Sequence, residues 1–381
     1  MPAEAGMSNA YALCESAPAF VASLREELPH CRVSLFAQFM TFEGDASGEE
    51  FADLLLERAR AGVDVRLILD HYVDVIANDI LPIRLGRRRE LQAERSSTAV
   101  LLERLRAGGV SVQRTAPPGV LWRFLLYRNH KKMVVLDDAV AFVGGINVSD
   151  HNYAWNDFMV KVTGPLAADM ATDFRTTWDG ATVELSVPSP DADFVLNHSP
   201  GRPSISDEVA LLVQAATTSI AIESPSLLGG ALEDLLVDAA RRGVAVTVVA
   251  PARHNRSIFR VWIRSTIGRL VRAGVIVHGY RGSDEMTHAK LLIVDDEVAT
   301  FGSFNFFELE GLTQKELNVF TREPAIISEL RRLMDRDIAA STVMAPPRTT
   351  FGRFTYTIVE RGFACWTKRL LRKPEWRAIY S

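Results

Sequence analysis

Apolar positions follow two alternating periods along this chain. Short runs rich in Val, Ile, Leu and Phe read as buried strands, and stretches with apolar residues three and four apart read as helices. Pro18–Leu28 has helical spacing with proline suited to its first turn. Arg32–Met40 is a strand, Gly48–Ala61 a helix stopped at Gly62, and Val63–Leu69 a strand. Val100–Ala107 is a helix ending at Gly108-Gly109, and Val110–Arg114 a strand. A hairpin, a strand over Phe158–Thr163 and a helix over Leu166–Trp178 follow. The stretch His71–Thr98, with Pro82 and the run Arg87-Arg88-Arg89, breaks this order and reads as an insertion.

The order then repeats. Helix Asp207–Thr217, strand Ser219–Glu223, helix Ala231–Arg242, strand Val244–Ala250, helix Ile258–Ala273 and strand Val275–Tyr280 lead to a second hairpin. Strand Leu317–Thr321 and helix Glu323–Ala339 close the series. The hairpins match residue by residue: HKKMVVLDDAVAFVGGIN starts at His130 and HAKLLIVDDEVATFGSFN at His288. His, Lys, Asp and Asn all recur at one offset, 158 residues. Two related halves sharing one site explain this. The expected organisation is a first half over 1–186, a second over 187–345 and a tail over 346–381. Val187–Pro203, rich in Pro, Ser and Asp, reads as the linker. The fold class is α/β, two layered halves about a pseudo-twofold axis with one site at their interface.

Composition narrows the function. Hydrophobic residues make up 48% of 381, enough for a sizeable core. Net charge is −4, which gives no global reason to expect nucleic acid as a partner. Three scattered cysteines form neither a disulfide framework nor a zinc cluster and suit a reducing compartment. No basic-then-apolar leader and no spanning apolar stretch is evident, so work on lipid would be done from the surface.

The hairpins carry the chemistry. His130 and Lys132 lie two apart on a strand and so face one way, as do His288 and Lys290. Lysine supplies fixed charge, and Asn147, Asn305 and Ser303 supply donors, for a phosphate's non-bridging oxygens. One imidazole can attack phosphorus and the other can protonate the departing oxygen. The residues thus permit two-step in-line transfer through a phosphohistidine, with no metal and no cofactor. A nucleophilic imidazole needs a partner on its other nitrogen; Asp157 and Glu316, each about ten residues past its Asn, are the candidates. Asp137 and Asp295 complete each motif and are grouped with the catalytic set, although a turn aspartate more often fixes a hairpin.

The duplicated H-x-K-x4-D-x6-G-[GS]-x-N pattern resembles the phospholipase D superfamily. The phrases FVGGINVSD, Trp155-x-Asp157, VTGP, ESPSLL and HAKLLIVDD resemble its bacterial cardiolipin synthase-like subgroup. The resemblance implies a duplicated phospholipase D-type fold of two α/β/α sandwich halves and a metal-independent phosphatidyltransferase. It implies His130 as nucleophile and His288 as acid, with Lys132, Lys290, Asn147 and Asn305 around the phosphate. It places Glu316, and by analogy Asp157, next to the histidines. The alternatives are a hydrolase that uses water as acceptor and, third, a phosphodiesterase acting on nucleic acid.

The implied partners are phospholipids and a membrane surface, with the protein cytoplasmic and peripheral on the inner face of the cell membrane. Thr355–Tyr380 mixes Phe363, Trp366 and Trp376 with Arg361, Lys368, Arg369, Arg372 and Lys373, and is the candidate docking segment. Phe259–Ile267 and Leu85–Arg89 are lesser candidates.

Overall fold

The computed structural model describes residues 8–74, 85–116, 127–181, 192–198, 204–226, 230–252, 266–282, 286–307, 311 and 313–345. Its strands, in chain order, are β1 (Ala10–Cys14), β2 (Ser34–Phe39), β3 (Asp64–Asp70), β4 (Ser111–Thr115), β5 (Arg128–Asn129), β6 (Met133–Leu136), β7 (Val140–Gly144) and β8 (Met159–Thr163). The second half adds β9 (Phe194–His198), β10 (Ser219–Glu223), β11 (Ala245–Pro251), β12 (Ile276–Tyr280), β13 (Leu291–Val294), β14 (Val298–Gly302), β15 (Gln314–Thr321) and β16 (Ser341–Val343).

The two sheets have one design. The first runs β1-β8-β7-β6-β2-β3-β4; the second runs β9-β15-β14-β13-β10-β11-β12 and adds β16 at its edge. In each, three parallel strands meet an antiparallel hairpin and its return strand. Register agrees in detail: Gln38 lies opposite Met133, and Glu223 opposite Leu291. The duplication expected from the hairpins therefore extends through both sheets.

The helices are α1 (Ala17–Glu27), α2 (Ala46–Arg60), α3 (Leu85–Ala107), α4 (Asp150–Tyr153), α5 (Pro165–Trp178), α6 (Ser204–Ala215), α7 (Ala231–Arg241), α8 (266–272) and α9 (Pro324–Ala339). Ser16 caps α1 by accepting the Ala19 N–H, and Asp45 caps α2 by accepting that of Gly48. The other Asp45 oxygen takes the Asp150 N–H at 2.6 Å, tying α2 to α4.

Three apolar clusters define the layers. One packs α1, α2 and α3 on the outer face of the first sheet, and another packs α6, α7 and α8 on the outer face of the second. The third lies between the sheets. It joins Phe36, Val135 and Val160 to Leu291, Phe301 and Val319, with α5 and α9 both packed into it. The two sandwiches thus share a middle layer. Each fully buried Leu or Phe there contributes roughly 1.5–3 kcal/mol, so the halves hold together over a true core.

Two readings are corrected, and one strand is added. The supposed insertion contributes most of a long helix, α3, which begins at Leu85 and not at Val100. Its Ser-Ser-Thr interruption obscures the apolar period, while Arg, Glu, Leu and Gln supply helix propensity. The supposed linker contains β9, paired along β15. Its Phe-Val-Leu core was masked by flanking Pro, Ser and Asp. Arg128–Asn129 forms β5, which pairs in parallel with β15 of the other half. The tail 346–381, most of Phe259–Ile267, and the side chains of 85–88 lie outside the described residues.

Candidate active site

The site is built where the strand ends of the two halves cross. The His130 N–H donates to the Lys315 carbonyl at 2.9 Å, and the His288 N–H donates to the Asn156 carbonyl at 2.7 Å. These two bonds are pseudo-symmetric equivalents, and each places a histidine beside the residue after its acceptor. Those residues are the two candidate carboxylates. Consequently each imidazole pairs with an acid from the opposite half. His130 Nδ1 lies 2.9 and 3.0 Å from the two oxygens of Glu316. His288 Nδ1 lies 2.6 Å from Asp157 Oδ2.

The carboxylates are held differently. The Ser303 hydroxyl donates to Glu316 Oε2 at 2.5 Å and accepts the Leu317 N–H at 3.0 Å. Asp157 Oδ1 accepts the Phe158 N–H at 2.9 Å. At the position equivalent to Ser303 stands Gly145. A Cβ on Gly145 would lie 2.3 and 2.4 Å from the Asp157 oxygens, so the shorter acid occupies the space that a side chain would fill. Ser303 is therefore corrected from a phosphate ligand to the residue that holds Glu316: it is fully buried, with its hydroxyl committed there.

Both lysines are buried against the histidines. Lys132 Nζ donates to the His130 carbonyl at 2.5 Å, and Lys290 Nζ donates to that of His288 at 2.5 Å. Lys290 Nζ also lies 2.9 Å from His288 Nδ1 and 3.9 Å from Asp157 Oδ2. Burial, with the Lys132 and Lys290 charges, pushes the His130 imidazole well below its ordinary range. Burial and Lys290 likewise push His288 down to about 4, against the opposing pull of Asp157. Without a bound anion, both imidazoles are neutral near pH 7.

Asn147 is fixed at its oxygen by the Thr41 N–H at 3.1 Å, and its amide nitrogen lies 3.3 Å from Asn152 Oδ1. The Asn305 carbonyl accepts the Ser224 hydroxyl at 2.5 Å. Two residues that the pattern reasoning did not single out for the site line the His288 side. The Trp155 ring sits 4.9 Å from the His288 ring, and the His151 ring 5.4 Å from Trp155. His151, in turn, lies 3.5 Å from the buried Glu43. Sequence spacing alone gave no signal for either contact.

Asp137 and Asp295 are corrected from the catalytic set. Both sit in the hairpin turns, at the far end of β6 and β13 from the histidines. Each begins a pair of left-handed residues, which the short polar aspartate tolerates. Asp137 accepts the N–H groups of Arg32, Val33 and Ser34 at 2.7–2.8 Å. Asp295 accepts those of Thr217, Thr218 and Ser219 at 2.8–2.9 Å, with both threonine hydroxyls. They anchor the segments entering β2 and β10.

Known proteins are similar to this chain in sequence and in fold. The cardiolipin synthase of Oceanobacillus iheyensis is 23% identical over 351 residues, 84% of this chain and 67% of its own. Cardiolipin synthase A of Pseudomonas fluorescens is 29% identical over 332 residues, 82% of this chain and 65% of its own. The chain thus spans about two thirds of the length of these curated relatives. A crystal structure of phosphatidylserine synthase from Haemophilus influenzae Rd KW20 matches with a TM-score of 0.70 over 94% of both chains, at 12% identity, a likeness of fold. The family model described as "Cardiolipin synthase, PLD-like domain" covers residues 24–178 and 210–338, both halves and both hairpins, and the chain belongs to that family.

Proposed function

We propose that this protein is a phosphatidyltransferase of the cardiolipin synthase type, which passes a phosphatidyl group from phosphatidylglycerol to the hydroxyl of a second phospholipid. The observation that carries this reading is the crossed pairing of two buried imidazoles with carboxylates from opposite halves. It orients two imidazoles near enough to each other and to both lysines for their charges to interact, an arrangement suited to displacement at a single diester. The names of the relatives supply the substrate class.

In the proposed reaction His130 is the nucleophile. Its Nδ1 proton is held by both Glu316 oxygens, which leaves the Nε2 lone pair to attack phosphorus. The diester's negative charge offsets Lys132 and Lys290 and restores a proton to His288. That proton passes from Nε2 to the leaving oxygen as the P–O bond breaks and the P–N bond forms. Glycerol departs. The acceptor hydroxyl then gives its proton to His288 and attacks phosphorus, and His130 leaves. Lys132 and Lys290, with Asn147 and Asn305, stabilise the charge on the non-bridging oxygens. The Trp155 ring packs beside the His288 ring, and His151 beside Trp155, next to the histidine that exchanges protons with leaving group and acceptor.

Among the described residues no helix is long and apolar enough to cross a membrane. The reading has the protein acting at a lipid surface, peripheral on the cytoplasmic face. Product analysis tests it. Phosphatidylglycerol vesicles should give cardiolipin and glycerol in equal amounts. Phosphatidic acid without cardiolipin would make water the acceptor and overturn the transferase reading.

A further inference from the structure

Behind His288 lies a second pair of acids that the proposed reaction does not use. Glu223 ends β10 and is fully buried; Asp337, on α9, is 5% exposed. Glu223 Oε1 accepts the Thr287 hydroxyl. Among the described residues no N–H or O–H group reaches Glu223 Oε2, and the Asp337 carboxyl lies against that of Glu223. Asp337 Oδ2 accepts the Asn156 amide at 2.9 Å, and the same amide lies 3.3 Å from Thr287 Oγ1. Asn156 and Thr287 are the residues immediately before Asp157 and His288, and they form a bridge across the two halves. The four side chains thus brace the backbone of the His288–Asp157 pair from behind.

The other half shows what is unusual here. Gln38 holds the place of Glu223 and Asn129 that of Thr287, and the Gln38 amide donates to Asn129 at 2.7 Å. Both of those residues are neutral. In the second half a carboxyl faces a carboxyl in a buried space. Among the described residues no group of three or more His, Cys, Asp or Glu is placed to hold a metal ion there. Two buried carboxylates in contact cannot both ionise, because each loses its hydration and each repels the other. A proton between them relieves both penalties and supplies the donor that Oε2 otherwise lacks.

We propose that Glu223 and Asp337 share one proton, Glu223 donating to Asp337, and that the pair positions Asn156 and Thr287 so that Asp157 and His288 meet. Burial, together with the Asp337 and Asp157 charges, raises the Glu223 carboxyl well above its usual range, in agreement. These are positioning residues, since neither reaches the site where phosphorus would sit. The inference assumes the proposed phosphoryl chemistry for its effect on rate. The shared proton itself is independent of any substrate.

Infrared spectroscopy of the full chain separates these two parts. A protonated carboxylic acid has a carbonyl stretch apart from carboxylate and amide bands. Wild type should show one at about pH 8, where the Asp70 carboxyl, raised by burial to about 6, is ionised. Glu223→Gln should abolish the band yet retain turnover within about threefold, because an amide still accepts from Thr287 and donates to Asp337. Asp337→Asn, which can donate to Glu223 and accept from Asn156, should do the same. Asp337→Ala releases Asn156 and should lower kcat at least about 10-fold at unchanged KM, the cost of a misplaced reacting group. Absence of the acid band in wild type would overturn the shared proton, even with activity unmeasured. Turnover in Glu223→Gln as low as in Asp337→Ala would overturn the positioning role.

Discussion

Replacing Gly145 by Ala tests the architecture of the His288 dyad with a single methyl group. Gly145 has no left-handed backbone angle, so alanine fits its conformation. The added Cβ, however, would lie 2.3 and 2.4 Å from the Asp157 oxygens, where ordinary contact begins at 3.4 Å. The carboxylate must retreat by about 1 Å, since the neighbouring backbone is fixed by the Gly145 N–H bond to Phe158 O at 3.2 Å. Its 2.6 Å bond to His288 would then open to about 3.6 Å, beyond hydrogen-bond range. A hydrogen bond to a charged group contributes roughly 1.5–3 kcal/mol. At about 1.36 kcal/mol per tenfold, that is a loss of about 10- to 150-fold in kcat. The assay is steady-state transfer from phosphatidylglycerol vesicles, with thermal unfolding as the control for folding. On an Asp157→Asn background the same change should cost little, because both act on one bond. If Gly145→Ala kept turnover within threefold of wild type on the native background, the Asp157–His288 bond would not support catalysis and the reasoning would fail.

Two further predictions concern protons. Burial alone would raise the Asp295 carboxyl, but the N–H groups of Ser219, Thr217 and Thr218 hold it far below the ordinary carboxylate range. Its contribution is therefore complete at neutral pH and is lost as pH falls from about 4 through the native value. Asp295→Ala should cost about 2 kcal/mol in denaturant unfolding at pH 7, with a deficit that narrows in acid and a kcat little changed in the folded fraction. An equal deficit at every pH would contradict this assignment. Separately, an anion entering between the lysines favours imidazolium. Calorimetry of phosphate binding at about pH 6, in buffers of differing ionisation enthalpy, should record proton uptake; proton release or no exchange would contradict the account of two neutral histidines.

Much of this was legible in the sequence, and the gaps have physical causes. The paired hairpins were visible because chemistry and turn geometry fix His, Lys, Asp and Asn at set spacings. The α/β layering of each half followed from strand–helix alternation. The crossing of the dyads was not visible, because spacing places Glu316 near a strand end without saying which half faces it. Nor was the role of Ser303, since a hydroxyl beside a glycine suits a phosphate or a carboxylate equally. Asp137 and Asp295 looked catalytic by motif and structural by turn position; three backbone N–H groups on each decide for structure. β9 escaped notice because strand propensity is read against its flanks, and those flanks are Pro, Ser and Asp. Glu223 sits in a hydrophobic strand where nothing but Asp337, more than a hundred residues on, marks it.

The central claim is that one diester, clasped between the halves, passes through a covalent bond to His130. Rapid mixing with phosphatidylglycerol labelled at phosphorus, followed by a denaturing quench that preserves phosphohistidine and by peptide mapping, reads this directly. Label should appear on His130 before cardiolipin accumulates, and should be missing from a folded His130→Ala protein, which makes no product. Cardiolipin formed at the normal rate with no label on any histidine, or formed by His130→Ala, would contradict it.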